Sequence, residues 1–295
     1  MDMPSVSIIG VGRAGGALAL ALHKAGSQIE YLVHRDSATA EAVASRIPGT
    51  RLRQYNESFS ELTSDIILIT TPDPAISQVA ERLAAEIQHK PIVLHTSGSL
   101  SSEVLSGLTG AAAGAGSMHP LVSISDPISG SNNFQSAYFC VEGDESGERL
   151  ATSLVRSLGG RPFSIPSSQK PLYHASAVMA SGHLVALIDM AIEMLGECGM
   201  DPESAKNILL PLIRTTVTNL ESKSPSQALT GSFARADVDA VERHLAAIGE
   251  HLPLIRTVYL ALGERSIDLA AVGDVDDDSI RELRKSISIA KRKPE

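Results

Sequence analysis

The sequence predicts an α/β fold, a doubly wound parallel sheet flanked by helices, followed by an all-helical second domain. Three observations predict it. Strand and helix patterns alternate through the first half of the chain, as they do when helices cover both faces of a parallel sheet. A glycine-rich turn at residues 10–15 joins the first strand to the first helix. No alternating strand pattern occurs after Pro166. We therefore expect domains at residues 1–166 and 167–295.

The expected strands are short apolar runs bounded by turn residues. The segment 65–70 is continuously apolar, as expected of a strand that is buried on both faces. The small-residue run 111–116 is either a low-complexity segment or a strand lined by small side chains. The expected strands are 6–9, 29–33, 51–54, 65–70, 92–95, 111–116, 137–141 and 161–165.

The expected helices show apolar periodicity or clear end signals. In the first domain they are 16–24, 38–47, 76–87, 102–107 and 146–158. The second domain begins with one long helix from Pro171 to about Cys198, which Gly199 ends. Asp201-Pro202-Glu203 combines a cap, a first-turn proline and an acid at the positive end of the dipole. The remaining helices are 203–219, 238–250, 254–263 and 280–290.

Composition restricts the class of protein. The chain has 295 residues, 43% of them hydrophobic and 20% charged, which is typical of a soluble globular protein with two domains. Aromatic residues make up 3% and the net charge is −9, so we expect no nucleic-acid partner. The two cysteines, Cys140 and Cys198, lie far apart without metal-ligand spacing, so we expect a reducing compartment and no metal.

The chain enters its first strand too early for a signal peptide, and we expect a cytoplasmic protein. The longest apolar stretch, residues 175–195, is interrupted by polar and charged residues such as His183 and Asp189. It is expected to be a buried or dimer-facing helix and not a membrane span.

The glycine turn predicts a dinucleotide-binding Rossmann domain. Gly10 permits the tight strand-to-helix turn, Gly12 lets the backbone approach a pyrophosphate, and Gly15 allows helix and strand to pack closely. The following helix offers unpaired N–H groups to the anion. A purely structural glycine turn is the alternative. The expected cofactor-binding residues of this turn are Gly10, Val11, Gly12, Arg13, Ala14 and Gly15.

The end of the second strand favours NADP. Along the sequence, Arg35 follows the glycine turn at about the spacing at which Rossmann domains place the residue that binds the cofactor's ribose. A guanidinium at this position suits the additional phosphate of NADP in charge and geometry. His34 and Ser37 flank the same position. Alternatively, Arg35 is a solvated surface residue and Asp36 binds the ribose, which would give NAD.

Five segments resemble a family of Rossmann-like oxidoreductases whose helical domain has no assigned function. They are residues 10–15, 95–100, 116–121, 173–181 and 229–237. The family is related to the 6-phosphogluconate, 3-hydroxyisobutyrate and prephenate dehydrogenases and to pyrroline-5-carboxylate reductase. The resemblance implies a helical domain that forms a homodimer and helps to close the active site. Two positions depart from it: Gly182 stands where asparagine is expected, and Ala236 where glycine is expected.

The active site is expected at the carboxyl ends of the sheet strands. Thr70, Thr71 and Pro72 follow one strand and are expected to contact the cofactor. Ser97 follows the next strand, and His119 lies in a later loop before a proline. A histidine suits a proton donor at a developing alkoxide, although a structural histidine is the alternative.

Residues around the domain junction complete the expected site. Lys170, His174 and Ser181 follow one another at helical spacing, and the first two are similar to the lysine–asparagine pair of hydroxyacid dehydrogenases. Lys170 could equally be a surface residue near the helix start. Arg235 is a candidate ligand for a substrate carboxylate or else a solvated residue. His95 is expected to be structural, and His183 to lie in the helix core or at a dimer contact.

These observations predict an NADP-preferring oxidoreductase that acts on a small carbonyl, hydroxy-acid or imine substrate. His119, Ser97, Lys170 and His174 are its candidate catalytic residues, with Ser181 and Arg235 at the substrate. Two alternatives remain: a non-catalytic NAD(P)-binding sensor, and a deazaflavin-linked NADP oxidoreductase.

Overall fold

The computed structural model describes residues 4–273 and 275–292, and of residues 250 and 251 the backbone alone. Eight strands form one sheet in the order β3-β2-β1-β4-β5-β6-β7-β8. They are β1 (Ser5–Ile9), β2 (Gln28–His34), β3 (Arg51–Gln54), β4 (Ile66–Ile69), β5 (Ile92–His95), β6 (Gly114–Pro120), β7 (Tyr138–Gly143) and β8 (Arg161–Phe163). Each overlaps a segment where the sequence predicts a strand, and the small-residue run leads into β6. The expectation that His119 lies in a loop is wrong, because β6 continues to Pro120 and pairs His119 with Cys140 of β7.

The sheet is mixed and not fully parallel. The first six strands pair in parallel, whereas β7 runs antiparallel to β6 and β8 is parallel to β7. Strand order reverses between β1 and β4, which places the switch point beside the glycine turn.

Helices connect the strands and cover both faces of the sheet. They are α1 (Arg13–Lys24), α2 (Ser37–Ala44), α3 (Asp73–Glu86), the short α4 (Pro127–Gly130) and α5 (Glu145–Ser157). In β4, Ile66 and Leu68 join one buried apolar cluster and Ile67 and Ile69 join the other. This two-sided burial is the reason that the segment is continuously apolar. The predicted helix at 102–107 is a 3-10 helix, Ser102–Leu108.

The chain divides into two compact units, residues 1–182 and 183–295. The first contains the sheet and also α6 (Lys170–Ala180), whose first residue binds Ser117 of β6 and Glu142 of β7 through its ammonium group. The boundary expected from the sequence, after residue 166, lies before this helix and not after it.

The second unit is helical over its described residues. Its helices are α7 (Gly182–Glu197), which begins at the boundary, α8 (Pro202–Ser222), α9 (Pro225–Ala228), α10 (Gly231–Ala234), α11 (Val238–His251), α12 (Pro253–Ala270) and α13 (Asp277–Arg292). Residues of the last three helices, including Val241, Ile267 and Leu283, form its apolar core. The helix α7, by contrast, carries no buried residue.

The prediction of one unbroken helix from Pro171 to Cys198 is wrong. Ser181 leaves the helical conformation, with φ −123° and ψ −75°, and separates α6 from α7. Of the described residues, 167–197 form the one segment long and apolar enough to cross a membrane, and a single such segment is weak evidence for a span. No residue of 175–195 is buried in the single chain, so the expectation of a buried helix there is wrong and the dimer-facing alternative stays a prediction.

The departure at Ala236 has a structural cost. Ala236 adopts φ +49°, a left-handed conformation that glycine tolerates and alanine resists. The next residue, Asp237, caps α11 by accepting a hydrogen bond of 3.0 Å from Ala240 N. Ala236 therefore adopts the left-handed conformation that places Asp237 at the cap of α11, although it is not glycine.

We expect Ala236→Gly to raise the free energy of unfolding by about 0.5 kcal/mol, since the relief of the left-handed strain exceeds the entropy that glycine adds to the unfolded chain. Urea unfolding measures the change. Ala240→Gly, inside α11, is the matched control and should lower the same quantity by about 1 kcal/mol. Equal losses in both variants would contradict the prediction.

Candidate active site

The glycine turn has the geometry of a phosphate cradle. Gly10 adopts φ +106°, and its carbonyl accepts hydrogen bonds from Gly12 N at 2.9 Å and Thr70 Oγ1 at 2.6 Å. A Cβ on Gly15 would overlap that carbonyl and Thr70 Oγ1. The space at Gly12 is open: apart from its own local backbone and chain neighbours, no heavy atom of the described residues lies within 4 Å of a Cβ there.

Two further features of the turn fit an anionic ligand. No side chain caps the amino end of α1, so its N–H groups are free to bind a pyrophosphate. Thr71 Oγ1 is buried without a hydrogen-bond partner. Arg13 is exposed at the first position of the helix, with Val11 and Ala14 beside it. Pro72 precedes the amino end of α3. These residues fit a dinucleotide cofactor.

The residues after β2 differ in their surroundings. His34 is buried, and its Nδ1 has no hydrogen-bond partner. The guanidinium carbon of Arg35 lies 4.6 Å from the centre of the Tyr55 ring. Asp36 caps α2 through a 3.1 Å hydrogen bond from Ala38 N, and Ser37 is the first residue of that helix.

His119, Tyr173 and His174 form one cluster in the first unit. His119 Nδ1 lies 2.7 Å from the Tyr173 hydroxyl. The rings of His119 and His174 are 5.6 Å apart and almost perpendicular. A Cβ on Gly98 would lie 2.7 Å from His119 Nε2 and closer still to His174 Nδ1, which is buried without a partner. Two imidazole nitrogens therefore converge above the turn that follows β5.

The cluster fixes the protonation of His119. Burial, together with the nearby His174 and Lys170, lowers the pKa of His119 to about 4. Burial also raises the pKa of the Tyr173 hydroxyl, so both groups are neutral near pH 7. Among the described residues, His119 Nδ1 is the one acceptor within hydrogen-bond distance of that hydroxyl. When Tyr173 donates to Nδ1, the imidazole proton resides on Nε2, which faces Gly98.

Lys170 is fully buried and lies beneath this cluster. Its Nζ donates to Ser117 Oγ at 2.6 Å and lies 3.4 Å from Glu142 Oε1. Ser117 and Glu142 are paired across β6 and β7, and Glu142 also accepts two hydrogen bonds from Ser102. Burial lowers the pKa of Lys170, and the Glu142 carboxylate opposes that shift. The ammonium of Lys170 therefore binds side chains of the sheet, and among the described residues it forms no hydrogen bond with the histidine cluster.

Ser97 and His95 support the turn around Gly98. Ser97 Oγ accepts hydrogen bonds from Ser99 N at 3.2 Å and Leu100 N at 3.0 Å. His95 Nδ1 accepts from Ser97 N, and its Nε2 lies 3.2 Å from Ser101 O. Burial lowers the pKa of His95 to about 3. Both side chains are buried and hydrogen-bonded within the turn, which is the structural role expected of His95.

A cleft of about 570 Å³ opens beside the two histidines. Ser181 and Gly182 lie at one end of it and Val122 and Ser123 in its wall, together with residues of α6. Its lining contains no Lys, Arg, Asp or Glu side chain. Arg235 follows α10 in the second unit, and His183 is an exposed residue of α7, not a core residue.

Sequence reasoning gave no role to Tyr173 or Gly98. Tyr173 stands next to His174, so on a helix the two side chains point about 100° apart, and only one was expected in the site. Both reach it because His119 lies between them. Tyr173 is the first residue of the resembling segment 173–181, and this position is the signal that could have drawn attention to it.

Comparisons with known proteins agree with this architecture. Residues 2–120 match the model of a Rossmann-like domain, and residues 137–266 match a domain of unknown function, DUF2520. The chain therefore carries a Rossmann-like domain followed by a DUF2520 domain, the class that the sequence resemblance predicts. No curated protein matches the sequence.

Three solved structures are similar over almost the whole chain. A Bacteroides fragilis protein assigned as an NADP oxidoreductase is 20% identical, with a TM-score of 0.74, over 90% of this chain and 98% of its own. Protein TM1727 from Thermotoga maritima is 23% identical, with a TM-score of 0.66, over 97% and 100%. Plasmodium falciparum pyrroline carboxylate reductase with NADP bound is 14% identical, with a TM-score of 0.60, over 98% and 99%. These similarities show the fold.

We expect acid to destabilise the protein through His119. Its pKa is about 4 in the folded chain and about 6.5 in the unfolded chain, so the unfolded state binds more protons between these values. This stabilising contribution is complete above pH 6.5 and is lost as the pH falls towards 4. From pH 7.5 to 5 the loss is about 2 kcal/mol, measured by urea unfolding.

His119→Asn should reduce that pH dependence, because the variant cannot bind the proton. His183→Asn, at an exposed histidine, is the control and should keep the wild-type dependence. If His119→Asn follows the wild-type curve, the buried neutral histidine is the wrong explanation.

We expect Lys170→Met to lower the free energy of unfolding by about 3 kcal/mol, since it leaves the Glu142 carboxylate buried without its cation. Adding Glu142→Gln should recover part of the loss, because the double variant has no buried charge at this position. Chemical denaturation measures both. A single-variant loss below about 1 kcal/mol would show that the pair is dispensable.

Proposed function

We propose that the protein is an NADP-preferring oxidoreductase that transfers a hydride between a nicotinamide cofactor and a small carbonyl, hydroxy-acid or imine substrate. The observation that carries the proposal is the convergence of His119 Nε2 and His174 Nδ1 on Gly98, in the turn after the carboxyl end of β5, the strand that pairs with β4 next to the switch point. Ligands of open α/β sheets bind at this edge.

Residues 10–15, with Thr70, Thr71 and Pro72, would hold the dinucleotide, and Arg35 would bind the 2′-phosphate. When bound, the cofactor supplies or accepts the hydride at C4 of its nicotinamide. Support comes from the open space at Gly12 and the uncapped amino end of α1. Similar folds bind NADP in the Plasmodium reductase and NAD in a prephenate dehydrogenase from Aquifex aeolicus. The choice of NADP depends on Arg35.

The histidines would act on the substrate oxygen or nitrogen. In its neutral form, His119 donates a hydrogen bond from Nε2, which stabilises negative charge that develops on a carbonyl oxygen. His174 Nδ1, which has no partner, would make a second hydrogen bond to the same group. Tyr173 holds the His119 tautomer, and Lys170 anchors α6. Ser97 shapes the turn, and Ser181 lines the cleft.

The assembly that we propose is a cytoplasmic homodimer formed through the helical domain. The apolar side chains of Val185 in α7 and of Ile208 and Leu212 in α8 are 67%, 55% and 63% exposed. Large apolar side chains left exposed on two consecutive helices are typical of an interaction site. Arg235 is the candidate ligand for a substrate carboxylate, as its guanidinium can bind one bidentately.

We expect His119→Asn to lower kcat by about a hundredfold or more, because it removes the hydrogen-bond donor at the reacting oxygen. Tyr173→Phe, which frees the tautomer, should lower kcat about tenfold and leave the KM for NADPH unchanged. Oxidation of NADPH with a panel of keto acids and cyclic imines is the measurement. His89→Asn is the matched control, since His89 precedes β5 at the opposite edge of the sheet.

Wild-type turnover in both site variants would show that the cluster of His119, Tyr173 and His174 takes no part in the reaction. NADPH binding by calorimetry without turnover of any substrate would favour the sensor alternative. The absence of binding to either pyridine nucleotide would contradict the proposed function as a whole.

A further inference from the structure

Arg35 directly follows β2, and the N–H groups of its guanidinium are free of partners in the described chain. Among the described residues, no hydrogen bond or ion pair involves its guanidinium, and its one recorded contact is the face of Tyr55 at 4.6 Å. The neighbouring carboxylate of Asp36 accepts from the backbone of α2. By contrast, Arg51 donates to Tyr31, and Arg53 is paired with Glu61.

Tyr55 is itself held from three sides. Its backbone N–H donates to His34 O at 2.8 Å, directly before Arg35. Its carbonyl accepts a short hydrogen bond from Arg82, whose guanidinium also pairs with Glu86 at 2.7 Å. Its ring packs edge-on against Phe59, at 5.9 Å between centres. The ring is therefore a fixed surface, while no hydrogen bond is recorded for its hydroxyl in the described chain.

We propose that Tyr55 is a specificity-determining residue, whose ring holds the Arg35 guanidinium in place to bind a ribose 2′-phosphomonoester. The inference builds on the proposed function. A guanidinium stacked on an aromatic face keeps its edge N–H groups free for bidentate binding of a phosphate. A long arginine that is already ordered loses less rotamer freedom on binding than a free one. Tyr55 is thus a positioning residue that acts through Arg35.

The experiment measures the dissociation constants of NADPH and NADH by calorimetry for the full chain and three variants. Tyr55→Leu should weaken NADPH binding about fivefold, because it removes the aromatic face, and leave NADH binding unchanged. Tyr55→Phe is the matched control: it keeps the ring, and the hydroxyl has no recorded partner, so wild-type affinities are expected. Arg35→Ala should abolish the preference for NADPH.

NADH affinity reports in every variant whether the cofactor site is folded. If Tyr55→Leu binds NADPH as the wild type does while Arg35→Ala does not, the inference is wrong and the proposed function stands. If Arg35→Ala keeps the NADPH preference, both the inference and the phosphate assignment to Arg35 are wrong. If the wild type binds neither nucleotide, the inference, the phosphate assignment and the proposed function are all wrong.

Discussion

The buried ammonium of Lys170 is the interaction on which the candidate site depends. It lies at the first residue of α6 and binds side chains of β6 and β7, the two strands that meet in antiparallel register. A buried charge with good partners has one favourable position, because any displacement leaves it desolvated and unpaired. Tyr173 and His174 follow within one helical turn, so the same contact determines where they lie relative to His119.

The geometry around Gly98 follows from that placement. With α6 fixed, the two imidazoles occupy the space that a side chain at residue 98 would need, and only glycine leaves it free. Burial keeps His119 neutral, and the hydroxyl of Tyr173 lies within hydrogen-bond distance of its Nδ1. The result is a weakly polar cleft with two aligned nitrogens and no charged lining residue. Such a site suits the stabilisation of charge that develops during a reaction more than the binding of charge that is already present.

The adenosine end of the expected cofactor site carries a free charge, unlike the cleft beside the two histidines. There Arg35 is exposed and forms no ion pair within the described part of the chain, while Arg53 and Arg82 are paired with acids. The aromatic ring of Tyr55 orders the free guanidinium without occupying its hydrogen-bond donors. An unpaired guanidinium at this end fits a ligand that is anionic where it is anchored.

The sequence alone determined the strands, most helices and the glycine turn, because these depend on local periodicity and on backbone conformations open to glycine. The family resemblance, and not the sequence alone, indicated glycine at position 236, and the structure supplies the reason in a positive φ angle. The sequence did not determine the break at Ser181, the antiparallel direction of β7 or the burial of Lys170. A lysine next to a proline gives no local signal that its ammonium will be enclosed. Only the tertiary structure decided these features, since the partners of Lys170 are 28 and 53 residues away along the chain and meet it only when the sheet has formed.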